Sequence, residues 1–311
     1  MENYSYYELA SNRTVKHPDS QLDPDVLPEK GLEDAFAYFD EIEIRKGREE
    51  RMVINRFNEF LAEEAARYGV AAPVFPMERV RILEEEDYDR IMRMDTKKSL
   101  GVYSQLAGTI LLRGKSLKSL HILMHELLHY YSFQKIDQDN NGERIGVRLG
   151  YDGYDSHTFV GFNEGVTEIV AADILARHRE EIERIIRSFR SGEAGENEKE
   201  AFFRPALGRF VRFVRMVVEK MAEKNGKKSE EVFEKFEEGM FSGRMMHLRE
   251  IEKTFGPGSL RLLAYYDIYE SSQTDKMIYE YFQGIGQEKD ARTLVAELEH
   301  IRSSVQPAQA A

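Results

Sequence analysis

The sequence contains no cysteine. This absence excludes disulfide bonds and thiolate ligands, so any zinc site in the chain would have to use histidine and carboxylate side chains. No stretch approaches the roughly 18 continuous apolar residues of a membrane-spanning helix. The first twenty residues also lack a basic region followed by an apolar core. We therefore expect no signal peptide, no membrane partner and a cytoplasmic location.

Positive charge is also scarce relative to negative charge. Lysine and arginine number 44 against 56 aspartates and glutamates, which gives a net charge of −12. This balance argues against nucleic acid as the main partner. The 311 residues are 41% hydrophobic and 32% charged, as expected for a helix-rich globular chain that buries a large core. The sequence gives no indication of the oligomeric state.

The segment 116–133 contains the pattern HExxH, formed by His125, Glu126 and His129. Residues four apart on an α-helix lie on the same face, so the two imidazoles can bind one cation. Glu126 then projects beside the cation and can take a proton from a water molecule. The pattern predicts a metal site on this helix.

A purely structural role for these histidines is the alternative. The helix carries many leucines, so it is a core helix in either case, and two buried histidines on it could simply be hydrogen-bonded. His121 extends the row by one more turn. However, His121 and His129 lie roughly 12 Å apart along the helix axis, so all three histidines cannot bind one ion. We predict that His121 is a hydrogen-bonded core residue or supports a ligand.

A second motif, NEGxTE, stands downstream and opens an Ala-rich helix. Asn163 is a suitable N-cap, and Glu164 in the first turn would bring a carboxylate to the metal as third ligand. Gly165 would allow two ligand helices to approach closely. Glu168, four residues further on, is placed to accept a hydrogen bond from the outer nitrogen of a ligand histidine. An ordinary acidic helix start is the alternative interpretation.

Together, the HExxH and NEGxTE motifs resemble those of the gluzincin clan of zinc metallopeptidases, which includes thermolysin-like proteases. The resemblance implies zinc ligands at His125, His129 and Glu164. It also implies Glu126 as the catalytic base and Glu168 as the carboxylate that supports a ligand histidine. Peptides or proteins would be the substrates. No aminopeptidase motif stands near the preceding strand, so we expect a compact endopeptidase.

The expected fold class is α+β and mainly α, zincin-like, with a small β-sheet and an active-site helix followed by a helical C-terminal subdomain. Residues 1–30 are predicted to form an extended arm, and residues 31–161 the α+β subdomain. Residues 162–304 would form the helical subdomain that carries the third ligand, and residues 305–311 a tail. The motif resemblance itself spans roughly residues 105–175.

A β-rich segment of residues 109–113 leads directly into the HExxH helix. If this segment is an edge strand, Thr109, Ile110 and Leu111 could pair with an extended peptide and hold it across the metal. An interior strand that only supports the helix is equally compatible with the sequence. Residues 80–83 also alternate in the manner of a short strand, and apolar residues recur at helical spacing over residues 49–68.

Such enzymes need a side chain that stabilises the oxyanion formed during hydrolysis. The candidates are Tyr154, which we favour, together with His157, His247, Tyr265 and Tyr266. The sequence does not choose among them.

Between the two motifs, Asp137, Asp139, Asn141 and Gly142 match the opening of a calcium-binding loop. The twelfth position is Arg148, where such loops place a glutamate, so a polar hairpin turn is the favoured interpretation.

Two further functions are compatible with the same sequence. One is a zinc-binding regulator that has lost turnover, although the presence of Glu126 argues against it. The other is a metal-free helical interaction module in which both motifs are coincidental.

Overall fold

The fold is mainly helical with small β-sheets, which confirms the α+β, mainly α part of the prediction. The structure is a computed structural model. It describes residues 40–91, 100–104, 108–114, 120–138, 144–153, 158–189, 208–266, 272–284 and 289–305. The predicted arm of residues 1–30 and most of the predicted tail lie outside these ranges.

The helices and strands follow one another in a mixed order. The helices are α1 (Arg48–Arg67), α2 (Glu85–Ile91), α3 (Leu120–Tyr131), α4 (Val160–Arg177), α5 (Arg179–Phe189), α6 (Gly208–Asn225), α7 (Ser229–Ser242), α8 (Arg249–Phe255), α9 (Ser259–Ala264), α10 (Ser272–Gln283) and α11 (Ala291–Val305). The strands are β1 (Val80–Leu83), β2 (Gly101–Ser104), β3 (Thr109–Arg113), β4 (Gln134–Gln138) and β5 (Arg144–Leu149).

The three-stranded sheet has the order β1-β3-β2. Strand β3 pairs in parallel with β1 and antiparallel with β2, so both of its edges are occupied. Thr109, Ile110 and Leu111 are at most 1% exposed. The edge-strand hypothesis for these residues is therefore wrong, because both rows of backbone groups pair within the sheet. The supporting interior strand is the arrangement found.

Strands β4 and β5 form a separate antiparallel hairpin with a register shift between Lys135 and Ile136. Asp137 pairs with Ile145 in this hairpin, and Arg148 pairs with Lys135. The connecting residues 139–143, which include most of the calcium-loop motif, lie outside the described part of the chain.

The chain is organised into two compact units. Of the described residues, one unit contains 40–149 and 167–189, and the other contains 150–166 and 208–305. The division therefore falls inside the continuous helix α4.

A buried polar network joins α1 to the end of α3 in the first of these units. Asn58 accepts hydrogen bonds from the Phe75 backbone N–H at 3.1 Å and from the Tyr131 hydroxyl at 2.9 Å. Its amide nitrogen donates to the carbonyl oxygen of Ile54 at 3.1 Å. Because Asn58 is only 1% exposed, each of these partners satisfies a polar group that would otherwise be costly to bury.

In the other unit, α4 and α6 approach closely at Gly165. A Cβ atom added to Gly165 would lie 2.5 Å from Cγ2 of Val214 and 2.8 Å from the carbonyl oxygen of Phe210. The glycine was predicted to allow two ligand helices to approach. It instead allows the start of α4 to pack on α6, which carries no predicted ligand.

Across the described ranges, no helix is both long enough and apolar enough to cross a membrane.

Candidate metal centre

The HExxH motif lies in α3, a helix whose apolar side chains are buried on nearly every face. His125 and His129 are 6% and 7% exposed, and their Nε2 atoms lie 3.0 Å apart. The two rings meet nearly edge to face, at an interplanar angle of 79°. The spacing of four residues therefore directs both Nε2 atoms toward one point, as the helix geometry predicts.

The other ring nitrogen of His125 contacts a carboxylate. Nδ1 of His125 lies 2.7 Å from Oε2 of Glu168, and Nε2 of His121 lies 2.9 Å from Oε1 of the same carboxylate. Glu168 and His121 are 1% and 0% exposed. Glu168 thus bridges two histidines one turn apart, and it stands where the sequence predicted a supporting carboxylate. A Glu168 that accepts from Nδ1–H leaves the Nε2 lone pair of His125 available to a cation.

The charge of Glu168 is maintained by these contacts. Burial alone would raise the pKa of Glu168, but hydrogen bonds from His121 and His125 and their charges outweigh it and lower the pKa below its ordinary value. A carboxylate that stays ionised in a buried site remains an acceptor, so it can hold the His125 ring in one orientation.

Glu164 supplies the third donor from the first turns of α4. One ligand atom from each of His125, His129 and Glu164 lies within 4.8 Å of the others. The ligands of a single zinc ion, at about 2.1 Å from it, lie roughly 3–4 Å from one another, so small side-chain rotations suffice. Two neutral imidazoles and one carboxylate are a donor set that suits a divalent transition metal. This group can hold a metal ion.

The start of α4 differs from the prediction. Asn163 is not the N-cap, because α4 begins at Val160 and Asn163 lies inside its first turn. The backbone N–H of Asn163 donates to the carbonyl oxygen of Phe159 at 2.8 Å, and its side-chain Oδ1 accepts from the Tyr151 N–H at 2.8 Å. Asn163 therefore binds the segment that precedes α4. Its side-chain oxygen accepts from the Tyr151 backbone and does not support a ligand histidine.

Glu126, the predicted base, lies between the two histidines and is 8% exposed. Strand β2 passes close to it at Gly101. A Cβ atom on Gly101 would lie 2.7 Å from Cγ2 of Ile122 and 3.1 Å from Cγ of Glu126. The glycine thus makes room for the Glu126 side chain between α3 and the sheet. The sequence reasoning missed this strand, since the two apolar residues of GVYS are adjacent and do not alternate with polar ones.

Sequence reasoning also missed Asp152, a residue of the same unit as Glu164. Its Oδ1 atom is buried and has no hydrogen-bond partner among the described residues. Burial, and to a lesser extent the charge of Glu164, raise the pKa of Asp152 to about 8. The residue as a whole is half-buried. An acid with this pKa is mostly protonated near neutrality. No sequence motif marks the residue.

The candidates for the oxyanion donor differ in their surroundings. Tyr154 and His157 lie outside the described residues. Nε2 of His247 lies 2.6 Å from the Tyr151 hydroxyl. The Tyr265 hydroxyl donates to Glu299 at 3.0 Å, and the Tyr266 ring stacks on Phe213 with centroids 3.8 Å apart. These contacts give His247, Tyr265 and Tyr266 structural partners of their own.

Comparisons with protein-family models, with curated proteins and with solved structures found no match for this chain. The resemblance to gluzincins therefore stays a prediction from the two motifs, and the functional argument depends on the geometry of the residues themselves.

Proposed function

We propose that this chain is a zinc-dependent peptidase with a zincin-like active site. The observation that carries the proposal is the convergence of His125, His129 and Glu164, from two helices far apart in sequence, around one point. Glu126 lies in the same helix turn as the two histidines, in the position that a general base requires. A structural pair of core histidines would not need a third, carboxylate donor beside them.

The residues have distinct roles in the proposed reaction. His125, His129 and Glu164 hold the ion, and Glu168 fixes the ring of His125 through its Nδ1 atom. A zinc ion held there would lower the pKa of a coordinated water and polarise the substrate carbonyl. Glu126 accepts the proton of the attacking water and then donates it to the leaving amine, so that no net proton is lost.

Replacement of Glu126 tests the proposal. Glu126→Gln should keep the metal bound but lower the rate of peptide hydrolysis by roughly 10²–10⁴-fold, the usual contribution of a positioned acid–base group. Glu86→Gln, which changes an exposed glutamate on α2, is the matched control and should leave the rate unchanged. The measurement is cleavage of an internally quenched peptide library, with metal content determined by elemental analysis in parallel.

Three outcomes would contradict the proposal. Equal cleavage by Glu126→Gln and wild type would exclude Glu126 as the base. Stoichiometric metal in a His129→Ala variant would show that the ligand assignment is wrong. A wild-type protein that binds zinc but cleaves no peptide would favour a regulator without turnover.

A further inference from the structure

A cavity of about 380 Å³ lies between the segment that leads into α1 and the start of β1, all within one compact unit. Four of its lining side chains are cationic: Arg45, Lys46, Arg51 and Arg81. None of these residues belongs to the candidate metal centre. The cavity also has the size of a small-molecule site, since such pockets occupy roughly 300–1,000 Å³.

Two of the four cations are already neutralised by neighbouring carboxylates. Nη1 of Arg81 donates to both Asp40 and Glu43. Nζ of Lys46 donates to Glu43 and also to the carbonyl oxygen of Val80, the latter at 2.6 Å. Asp40 and Glu43 thus balance the charges of Arg81 and Lys46, and they are not available to the remaining cations.

The other two cations lack such partners. Arg45 and Arg51 line the cavity, are exposed, and make no ion pair or side-chain hydrogen bond with the rest of the described chain. Among the described lining residues Glu78 is the one further carboxylate, so these residues include four cations and three carboxylates. An anionic ligand would therefore find two guanidinium groups free to donate.

The local potential is consistent with an anion site. Burial, and then the charges of Arg81 and Arg51, lower the pKa of Lys46 to about 8. The charged form of Lys46 is therefore disfavoured by its surroundings. An anion bound nearby would favour the charged form, so ligand binding and protonation of Lys46 should reinforce one another.

We propose that this cavity binds a small molecule through a phosphate group, which accepts hydrogen bonds from Arg45 and Arg51. A phosphate carries more negative charge than a carboxylate and offers oxygens on several sides, so it can accept from two guanidinium groups at once. The space left in the cavity would take the organic part of a phosphate ester.

Titration calorimetry on the full-length, metal-loaded protein tests the proposal, with inorganic phosphate and phenyl phosphate as probes. Each should bind once per chain, and phenyl phosphate at least as tightly as inorganic phosphate. Arg51→Gln and Arg45→Gln should each weaken binding about tenfold, because each removes a charge-assisted contact. Arg48→Gln is the matched control, since Arg48 is exposed on α1, the helix that also carries Arg51, but does not line the cavity. It should change the affinity less than about twofold.

A second measurement locates the bound phosphate. Phosphate should slow the acetylation of Lys46, measured by mass spectrometry, and leave that of the exposed Lys228 unchanged. Binding without protection of Lys46 would place the phosphate elsewhere and overturn the proposal. So would the absence of saturable binding, or an equal loss of affinity in Arg48→Gln and Arg51→Gln.

The same titration distinguishes this site from the candidate metal centre. His129→Ala, which should lose the metal, should still bind phosphate in the cavity. Phosphate binding that disappears in this variant would belong to the metal and would overturn the inference. The peptidase proposal does not depend on either result.

Discussion

Nδ1 of His125 lies 2.7 Å from Oε2 of Glu168, so a ligand histidine and its supporting carboxylate are joined by a buried hydrogen bond between α3 and α4. The same carboxylate contacts His121 one turn earlier in α3. Both carboxylate oxygens of Glu168 thus contact histidines, and Glu168 is not itself a proposed metal ligand. The orientation of the His125 ring therefore depends on Glu168, and this dependence can be measured.

We expect Glu168→Gln to weaken metal binding by about 10–100-fold, the usual effect of losing a carboxylate behind a ligand histidine. The amide keeps the size of the side chain but removes the charge that both histidines contact. Asp173→Asn, an exposed change on the same helix, is the control. Competition with a chromophoric chelator gives the affinities. Unchanged zinc affinity in Glu168→Gln would show that the contact does not support the ligand.

Gly101→Ala should impair catalysis without loss of metal. The added methyl would lie 2.7 Å from Cγ2 of Ile122 and 3.1 Å from Cγ of Glu126. Ile122 must therefore shift and Glu126 must move slightly, whereas neither ligand histidine is among the nearest neighbours of the methyl. Forced shifts of this kind cost about 1–3 kcal/mol, which corresponds to roughly 5–150-fold in rate if the transition state bears the cost. Gly208→Ala is the control, because among the described residues its methyl would meet only Arg212 Nη1, at 3.6 Å. A Gly101→Ala rate equal to that of wild type would contradict the placement of Glu126 against β2.

Gly165→Ala should lower the free energy of unfolding by about 1–3 kcal/mol through overpacking. The new methyl would lie 2.8 Å from the carbonyl oxygen of Phe210, and a backbone atom cannot rotate away as a side chain can. Urea unfolding measures the change. A variant as stable as wild type would mean that α4 and α6 are further apart than the structure places them.

Asp152→Asn should alter how stability depends on pH in protein freed of metal by a chelator. Because the pKa of Asp152 is raised from 3.8 to about 8, the native state binds more protons than the unfolded state between these values. Wild-type stability therefore falls, through this group, as the pH rises through that window. The variant lacks this loss, so it should gain up to about 1.4 kcal/mol for each pH unit, or roughly 4 kcal/mol, relative to wild type between about pH 5 and pH 8. Parallel urea-unfolding profiles for the two proteins would contradict the raised pKa.

Local patterns were sufficient to predict several elements. The strand at Val80–Leu83 was predicted with its observed bounds, and helix α1 was predicted to within one residue at each end. The pair His125 and His129 could be placed on one face because helix geometry fixes the relation between residues four apart. These features depend on a few neighbouring residues, which the sequence shows directly.

Features that depend on distant pairing could not be predicted in this way. The position of β3 between β1 and β2 follows from pairings with two separate segments, and no local pattern records their order. Asn163 has the residue type of an N-cap, yet its side chain accepts from Tyr151, twelve residues earlier. The charged cavity likewise combines residues near position 45 with others near position 80, so neither segment alone indicates it.

The 3.0 Å separation of the two Nε2 atoms has a consequence for how the centre acquires its ion. Donors that already converge, with one ring held from behind by Glu168, lose little conformational entropy on binding. We therefore expect the metal to bind to a preformed site, without the coupled folding that zinc fingers undergo on metal binding. The folded chain should persist through repeated cycles of chelation and reloading, with its far-ultraviolet circular dichroism unchanged.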